Sequence, residues 1–417
     1  MNVLKRKSGR IVKKMGYIIR RISLITLQRR ILKNKRKGKE PIAILGPMFY
    51  KSNGMEGYIQ RIKSVDQNAM SSLYRVYLCD NGPKAKRIKA FYVDKEHVEI
   101  SFNGLDPAQC EKVEAIIDLC AKLYAHSVYK IINEKGALLS FFKRDNVIKV
   151  WDVHGAVPEE CLLYGKEKLH VHAEKAEAYA YAHADVIITL NQEMKEHLRK
   201  KHGVTKARFL EIPYFAGNGL KIKHACPKGD GEKLVVIYAG GTQPWQNVER
   251  IKKLVKETNG MYEYRFFVPD PKQFRKQWDL HAEEIIIDCV PPHRMGKAYE
   301  GCHYGLLFRD DIPVNNVACP AKLIEYMQNG IVPVLINDRI GGFASLGMQF
   351  VSYESFAKGK IPSEEERERI AESNRQVLTK LENIAEKGYE EMRRMLMGLK
   401  TTGFYNKTTT KRNEVFL

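Results

Sequence analysis

Residues 309–337, RDDIPVNNVACPAKLIEYMQNGIVPVLIN, place one Lys and one Glu on a short helix-like segment between two apolar runs. The run before it, YGLLF (304–308), reads as a buried strand, and VPVLIN (332–337) reads as the next one. Two apolar strands joined through a helix form the unit of a parallel sheet covered on both faces. Arg309 ends the first strand, and Lys322 and Glu325 follow on the helix after Pro320. All three therefore belong above the carboxyl edge of the sheet, where open α/β folds bind their ligands. The plainer reading is a surface Lys–Glu helix pair worth about 0.2–0.5 kcal/mol.

Outward from this stretch the same alternation continues. LVVIYAGG (234–241), YRFFV (264–268) and EIIID (284–288) are further strand candidates in the same half. An earlier set comprises IAIL (42–45), YRVYLC (74–79), KAFYV (89–93), VIKVWDV (147–153), DVIITL (185–190) and RFLEI (208–212). Helix-like segments at 106–125 and 158–184 lie between several of these. A Gly-, Lys- and Pro-rich loop at 213–233 separates the two sets. The fold expected is α/β, with two doubly wound domains, 41–222 and 223–390, facing a central cleft. Residues 362–396 read as charged helices on the outside, 391–417 is taken as the C-terminal tail, and its last part, 401–417, reads as loosely ordered.

The 417 residues are 44% hydrophobic, enough for two cores, and no apolar run reaches the roughly 18 residues that cross a bilayer. The net charge of +21 is uneven: residues 1–40 hold fifteen Lys or Arg and one acid, Glu40. Ile11, Met15, Ile18, Ile22, Ile25 and Leu32 recur at helical spacing, with Lys14, Arg21 and Lys35 on another face. A basic amphipathic arm of this kind suits an anionic membrane surface, and a solvated, disordered arm is the alternative. One aromatic, Tyr17, and no base-reading motif argue against nucleic acid. The eight cysteines form no CxxC pair and no zinc spacing, which implies a reducing compartment and no structural metal.

Candidate site residues sit at the predicted strand ends. Gly46, Gly54 and Gly57 occupy the loop after the first strand, where glycine permits close approach of backbone to a ligand. In WDVHGAVPEE (151–160), His154 ends a buried strand and can donate a hydrogen bond or carry a proton. Asp152 can orient it, while Glu159 and Glu160 suit the first turn of the following helix. In YAGGTQPWQN (238–247), Gly240 and Gly241 leave room for a diphosphate, and Gln246 follows at the helix start. Trp245 is either a domain-packing aromatic or a ligand contact. Lys322 and Arg309 can neutralise a diphosphate leaving group, and Glu325 suits paired ribose hydroxyls.

Together, DVHGAVPEE, YAGGTQPWQN, CPAKLIEYMQNGIVPVL and the two-domain layout resemble GT-B glycosyltransferases of the large retaining family 4 group. Many of these build bacterial capsule, O-antigen or exopolysaccharide. The resemblance covers roughly residues 41–390 and implies two Rossmann-like domains, the second binding a nucleotide-sugar and the first the acceptor. It assigns Arg309 and Lys322 to the donor diphosphate, Glu325 to the ribose and Gly240–Gly241 to the phosphate loop. His154 would touch the transferred sugar, and Gly54, Gly57 and Asp152 would lie on the acceptor side. Two positions depart from the pattern. Val317 stands where many relatives carry a second Glu, leaving Asn315, Asn316 or backbone amides as candidate sugar contacts. Thr242–Gln246 stand where many carry an Arg and a Lys.

The activity implied is transfer of a hexosyl unit from a UDP- or GDP-sugar to a saccharide, lipid-linked, at the cytoplasmic face of the membrane. No Asp-x-Asp pair suggests a metal, and no cofactor is expected. The rival from another class is a non-catalytic adaptor of the same fold that supports a partner glycosyltransferase. A dehydrogenase is disfavoured, because no strand leads into GxGxxG with an acid about 20 residues on.

Overall fold

The computed structural model describes residues 20–47, 57–214, 223–227, 229, 232–258, 260–276, 285–291 and 294–398. The first domain runs β1 (Arg20–Ile22), α1 (Leu24–Arg36), β2 (Pro41–Leu45), α2 (Gly57–Val65), β3 (Tyr74–Asp80), β4 (Lys89–Tyr92), β5 (His97–Phe102) and α3 (Pro107–Cys120). It continues through β6 (Lys122–His126), β7 (Ile148–Asp152), α4 (Val157–Leu163), α5 (Glu167–His183), β8 (Val186–Thr189), α6 (Gln192–His202) and β9 (Arg208–Glu211). The second domain holds β10 (Leu234–Ala239), α7 (Val248–Glu257), β11 (Tyr262–Phe267), α8 (Pro271–Lys276), β12 (Ile285–Asp288), α9 (Met295–Ala298), β13 (Tyr304–Leu307) and α10 (Pro313–Asn316). Then follow α11 (Ala321–Gln328), β14 (Val332–Leu335), β15 (Val351–Ser352), α12 (Tyr353–Ala357) and α13 (Glu364–Leu396).

The second sheet has the order β12-β11-β10-β13-β14-β15, with every pairing parallel. In chain order this is 3-2-1-4-5-6, the doubly wound arrangement whose ligand crevice opens between its first and fourth strands. Here those are β10 and β13, so the loops after Ala239 and Leu307 flank the crevice. The first sheet, β1-β4-β5-β3-β2-β6-β7-β8-β9, repeats that order around β2 and β6. Its crevice lies between those two strands, beside the end of β7. Both β2 and β14 are buried along their whole length, as strands covered on both faces must be.

The arm differs from the expectation. From Arg20 onward it belongs to the first domain: β1 adds an antiparallel edge strand to β4, pairing Ile22 with Ala90. Ser23 then caps α1 by accepting a hydrogen bond from the Thr26 N–H, which breaks the helix expected to run through it. Leu27 and Ile31 are fully buried in the first core, while Ile25 and Leu32 stay exposed among Arg29, Lys33 and Arg36. The periodic stripe thus splits between a strand and a helix, and the helix uses a different face for packing. Residues 1–19 lie outside the described residues.

The C-terminal boundary at 390 is also displaced. α13 is one helix of 33 residues, about 50 Å long at 1.5 Å per residue, opened by a capping box between Ser363 and Glu366. Its middle, Val377, Leu378 and Leu381, packs with Leu323 and Met327 of the second domain. Its end, Ala385, Tyr389, Met392 and Leu396, packs with Ile42, Ile44 and Val150 of the first. The helix therefore straps the two domains together instead of lying on the outside. Gly388 marks the crossing, since a Cβ there would stand 2.3 Å from the Glu211 carbonyl oxygen.

Candidate active site

At the crest of the second sheet, Lys322 reaches back from the first turn of α11 towards the loop after β10. Its Nζ donates to Gln246 Oε1 at 3.0 Å and sits 4.1 Å from the centroid of the Tyr238 ring. Gly240, at φ +149°, gives it passage: a Cβ there would lie 2.7 Å from Nζ. Tyr238 Oη donates to the Gly241 carbonyl and pins the glycine turn. Arg309 follows β13 across the crevice, buried, and its Nε has no hydrogen-bond partner among the described residues. Neither cation has a carboxylate at ion-pair distance among those residues.

The electrostatics express that lack. Burial, then Arg309, pushes the Lys322 ammonium well below the usual lysine range, and Glu325 restores only part. Burial also lowers Arg309 to about 10, against the pull of Tyr238 and Glu160. Glu325 does not form the helix-surface pair with Lys322; its Oε2 accepts from Tyr299 Oη at 2.5 Å, and burial raises its pKa. Two buried basic groups that feel each other's charge, with no carboxylate at ion-pair distance among the described residues, leave a place suited to an anion. Asn316 donates to Asp311 Oδ1 at 2.7 Å, and its own Oδ1 is buried and unpartnered among the described residues.

On the first domain, a cavity of about 510 Å³ opens at the β2/β6 crevice, lined by Gly57, Tyr58, His126, Lys130, His154 and Glu160, among others. His154 Nδ1 is buried without a partner among the described residues. Its ring tilts against that of His126, centroids 4.7 Å apart. Burial, then His126, lowers His154 to about 3, so it is a neutral hydrogen-bonding group at neutral pH. Gly54 lies outside the described residues.

Asp152 does not face the acceptor side, as the sequence reading had it, nor does it orient His154. It is fully buried beneath the cavity, where Arg61 clamps it from Nε at 3.1 Å and Nη2 at 3.0 Å. Tyr124 Oη donates to it as well, and Arg61 Nη1 continues to the Pro213 carbonyl. This buried network ties α2 to β6, β7 and the end of the first domain. The sequence reading missed Arg61, which GYIQRIKSV presents as an ordinary polar helix position, and it missed Tyr238 and Tyr299.

The domains meet along one edge of the cleft. Asn191 Nδ2 donates to the carbonyls of Val317 at 3.1 Å and Ala318 at 3.3 Å. Val314 and Val317 are buried in the first domain's core. Trp245 stands edge-on to Tyr164 at 5.4 Å between centroids and packs against the first domain's core. Glu159 lies in the first turn of α4, as read from the sequence, and its side chain also bonds His197 and Lys201.

The chain matches no protein-family model and no curated protein sequence. Solved structures do match it over most of its length. Sucrose-phosphate synthase from Thermosynechococcus elongatus aligns over 86% of this chain and 100% of its own, at TM-score 0.61 and 11% identity. This is a GT-B fold. Anabaena HepE, solved with UDP-glucose, aligns over 86% of this chain and 100% of its own, at TM-score 0.59 and 13% identity. An α,α-trehalose-phosphate synthase from Burkholderia vietnamiensis covers 87% of this chain and 99% of its own, at TM-score 0.57 and 11% identity. GT-B architecture explains the paired crevices: two doubly wound sheets turn their carboxyl edges towards a shared cleft, and α13 returns across it.

Proposed function

We propose that this protein is a glycosyltransferase that moves a hexosyl unit from a nucleotide-sugar, UDP- rather than GDP-, to a saccharide acceptor. The observation that carries the reading is the buried pair Arg309 and Lys322, without a counter-anion among the described residues, at the β10/β13 crevice. A diphosphate supplies the missing charge. HepE, a neighbour in fold, was solved with UDP-glucose, which favours uridine.

In this mechanism the bond between the sugar C1 and the diphosphate oxygen breaks, and its electron pair stays on the diphosphate. Arg309 and Lys322 meet that charge as it grows, in a site where water cannot screen it. The acceptor hydroxyl attacks C1 from the face the diphosphate leaves, and its proton passes to a departing phosphate oxygen, so configuration is retained without a carboxylate nucleophile. The Gly240–Gly241 turn admits the phosphates, Glu325 takes the ribose hydroxyls and Gln246 holds the Lys322 ammonium towards the crevice. Asn316 offers a contact to the sugar. Neutral His154 hydrogen-bonds the transferred sugar, and the cavity beside Gly57 receives the acceptor. With two fixed cations on the leaving group, the reaction needs no metal ion, and turnover should survive EDTA.

The acceptor is lipid-linked and the product a cell-surface polysaccharide, made at the inner face of the membrane. The basic segment supports this placement: beyond residues 1–19, α1 keeps Ile25 and Leu32 outward among Arg29, Lys33 and Arg36. The decisive experiment is calorimetry and turnover across UDP- and GDP-sugars, comparing wild type with Lys322→Ala. Nucleotide binding without turnover, on any acceptor, would favour the adaptor, for which Val317 in place of a cleft carboxylate speaks. No binding would remove the donor site altogether.

A further inference from the structure

Glu159 and Glu160 are sequence neighbours in opposite circumstances. Glu159 Oε1 accepts from His197 Nε2 at 3.1 Å and Lys201 Nζ at 3.0 Å. The Glu160 side chain has no hydrogen bond or ion pair among the described residues. Its side chain folds over Gly155, where a Cβ would come within 2.6 Å of Oε1, and it lines the 510 Å³ cavity beside Gly57 and His154. The helix start read as its natural place explains neither that direction nor that lack of a partner.

The charged and titratable groups around it can be named. Arg309 faces it from the second domain, Glu159 from its own helix, and Tyr164 from that helix's end. Tyr129, Lys130 and neutral His154 share the cavity wall. Burial raises Glu160 to about 7, Arg309 holding it down and Glu159 pushing it up. Among the described residues Arg309 is thus the cation whose field holds Glu160 towards the ionised form, and it is also the cation assigned to the donor diphosphate.

We propose that a diphosphate seated on Arg309 and Lys322 causes Glu160 to take up a proton, so that a neutral carboxyl group faces the sugars during transfer. This rests on the donor-site reading above. The empty cleft keeps Glu160 partly ionised because it faces a guanidinium. A bound diphosphate cancels that positive field and adds negative charge, and both changes disfavour a carboxylate. One solvent proton binds the carboxylate oxygen; no other bond changes. The neutral group then donates a hydrogen bond to a sugar hydroxyl, which a carboxylate cannot do, and it does not repel the leaving group.

The test is calorimetry at pH 7 in two buffers of different ionisation heat, with UDP, GDP and inorganic pyrophosphate as probes. Wild type should take up more protons per bound diphosphate than Glu160→Gln, which keeps the shape and cannot titrate. Any uptake by Lys322 is common to both proteins and cancels in the difference. Wild-type affinity should fall as pH rises above 7, while that of Glu160→Gln should be flatter over the same window. Equal proton uptake by the two proteins would overturn the inference and leave the donor site standing. Absence of binding by all three probes in both proteins would overturn both.

Discussion

The molecule buries arginine in two ways. In the first domain, Arg61 is fully buried with Asp152, Tyr124 and the Pro213 carbonyl around it. In the second, Arg309 is nearly as buried, beside Lys322, with its Nε unpartnered among the described residues. The first group is complete, and its charges hold the fold. The second has no carboxylate at ion-pair distance among the described residues, and in the function proposed above a ligand supplies that charge. A buried cation that has its anion is a structural part; one that lacks it points to a binding site.

The largest expected effect tests the complete side. Asp152→Ala leaves Arg61 charged and unpaired in the core, and should cost about 3–5 kcal/mol of unfolding free energy. Arg61 and the His126 contact hold the Asp152 carboxyl far below the usual carboxylate range, against the opposing effect of burial. Its folded pKa is therefore below the unfolded one, so its contribution is whole above about pH 4 and drains away as acid protonates it. Denaturant melts of both proteins at pH 7 and pH 3 measure this. A variant as stable as wild type at pH 7 would erase the contrast.

The incomplete side should respond in the opposite sense. Lys322→Met removes a buried basic group that has no carboxylate at ion-pair distance among the described residues, and keeps the apolar stem. Turnover should fall about 10²–10³-fold, while the melting temperature of the ligand-free protein holds or rises. Loss of both activity and stability would place Lys322 with Arg61 as a structural residue. Glu325→Gln sharpens the same contrast at smaller scale. It should weaken UDP binding about tenfold, through a lost charge-assisted hydrogen bond, and leave binding of the 2′-deoxy analogue less affected. A uniform loss for both nucleotides would remove the ribose from its role.

How much of this was legible in the sequence follows from which interactions are local. The second-domain crest could be read, because strand, glycine turn and helix are consecutive and the sheet order brings their ends together. Two doubly wound domains, seen as two sets of apolar strands around one linker, could be read for the same reason. The strand β6 could not: Ala121 ends α3 in the left-handed region, at φ 55°, with no glycine to announce the stop. KLYAH then looked like more helix. Asp152 was placed on the cleft because its partner, Arg61, lies 91 residues earlier. Glu160 was read from its helix position, whereas its surroundings come from Gly155 and, across the cleft, Arg309. The arm misled because periodicity shows which residues share a face, not whether water, lipid or protein covers it.

That ambiguity on α1 yields the smallest expected effect, and it restates the opening contrast in apolar terms. Leu27 and Ile31 are enclosed by the first core, whereas Ile25 is 61% exposed and Leu32 41%. Leu27→Ala should cost about 2–5 kcal/mol, as truncations in a packed core do. Ile25→Ser with Leu32→Ser removes side chains that are in good part already in water, so the cost should stay well below that of Leu27→Ala, about 1 kcal/mol or less. If that face meets a bilayer, the double variant should float less with liposomes containing anionic lipid, and as little as wild type with neutral ones. Flotation unchanged by the pair would mean that these two side chains are only exposed, and that residues 1–19 or nothing at all carry the membrane contact.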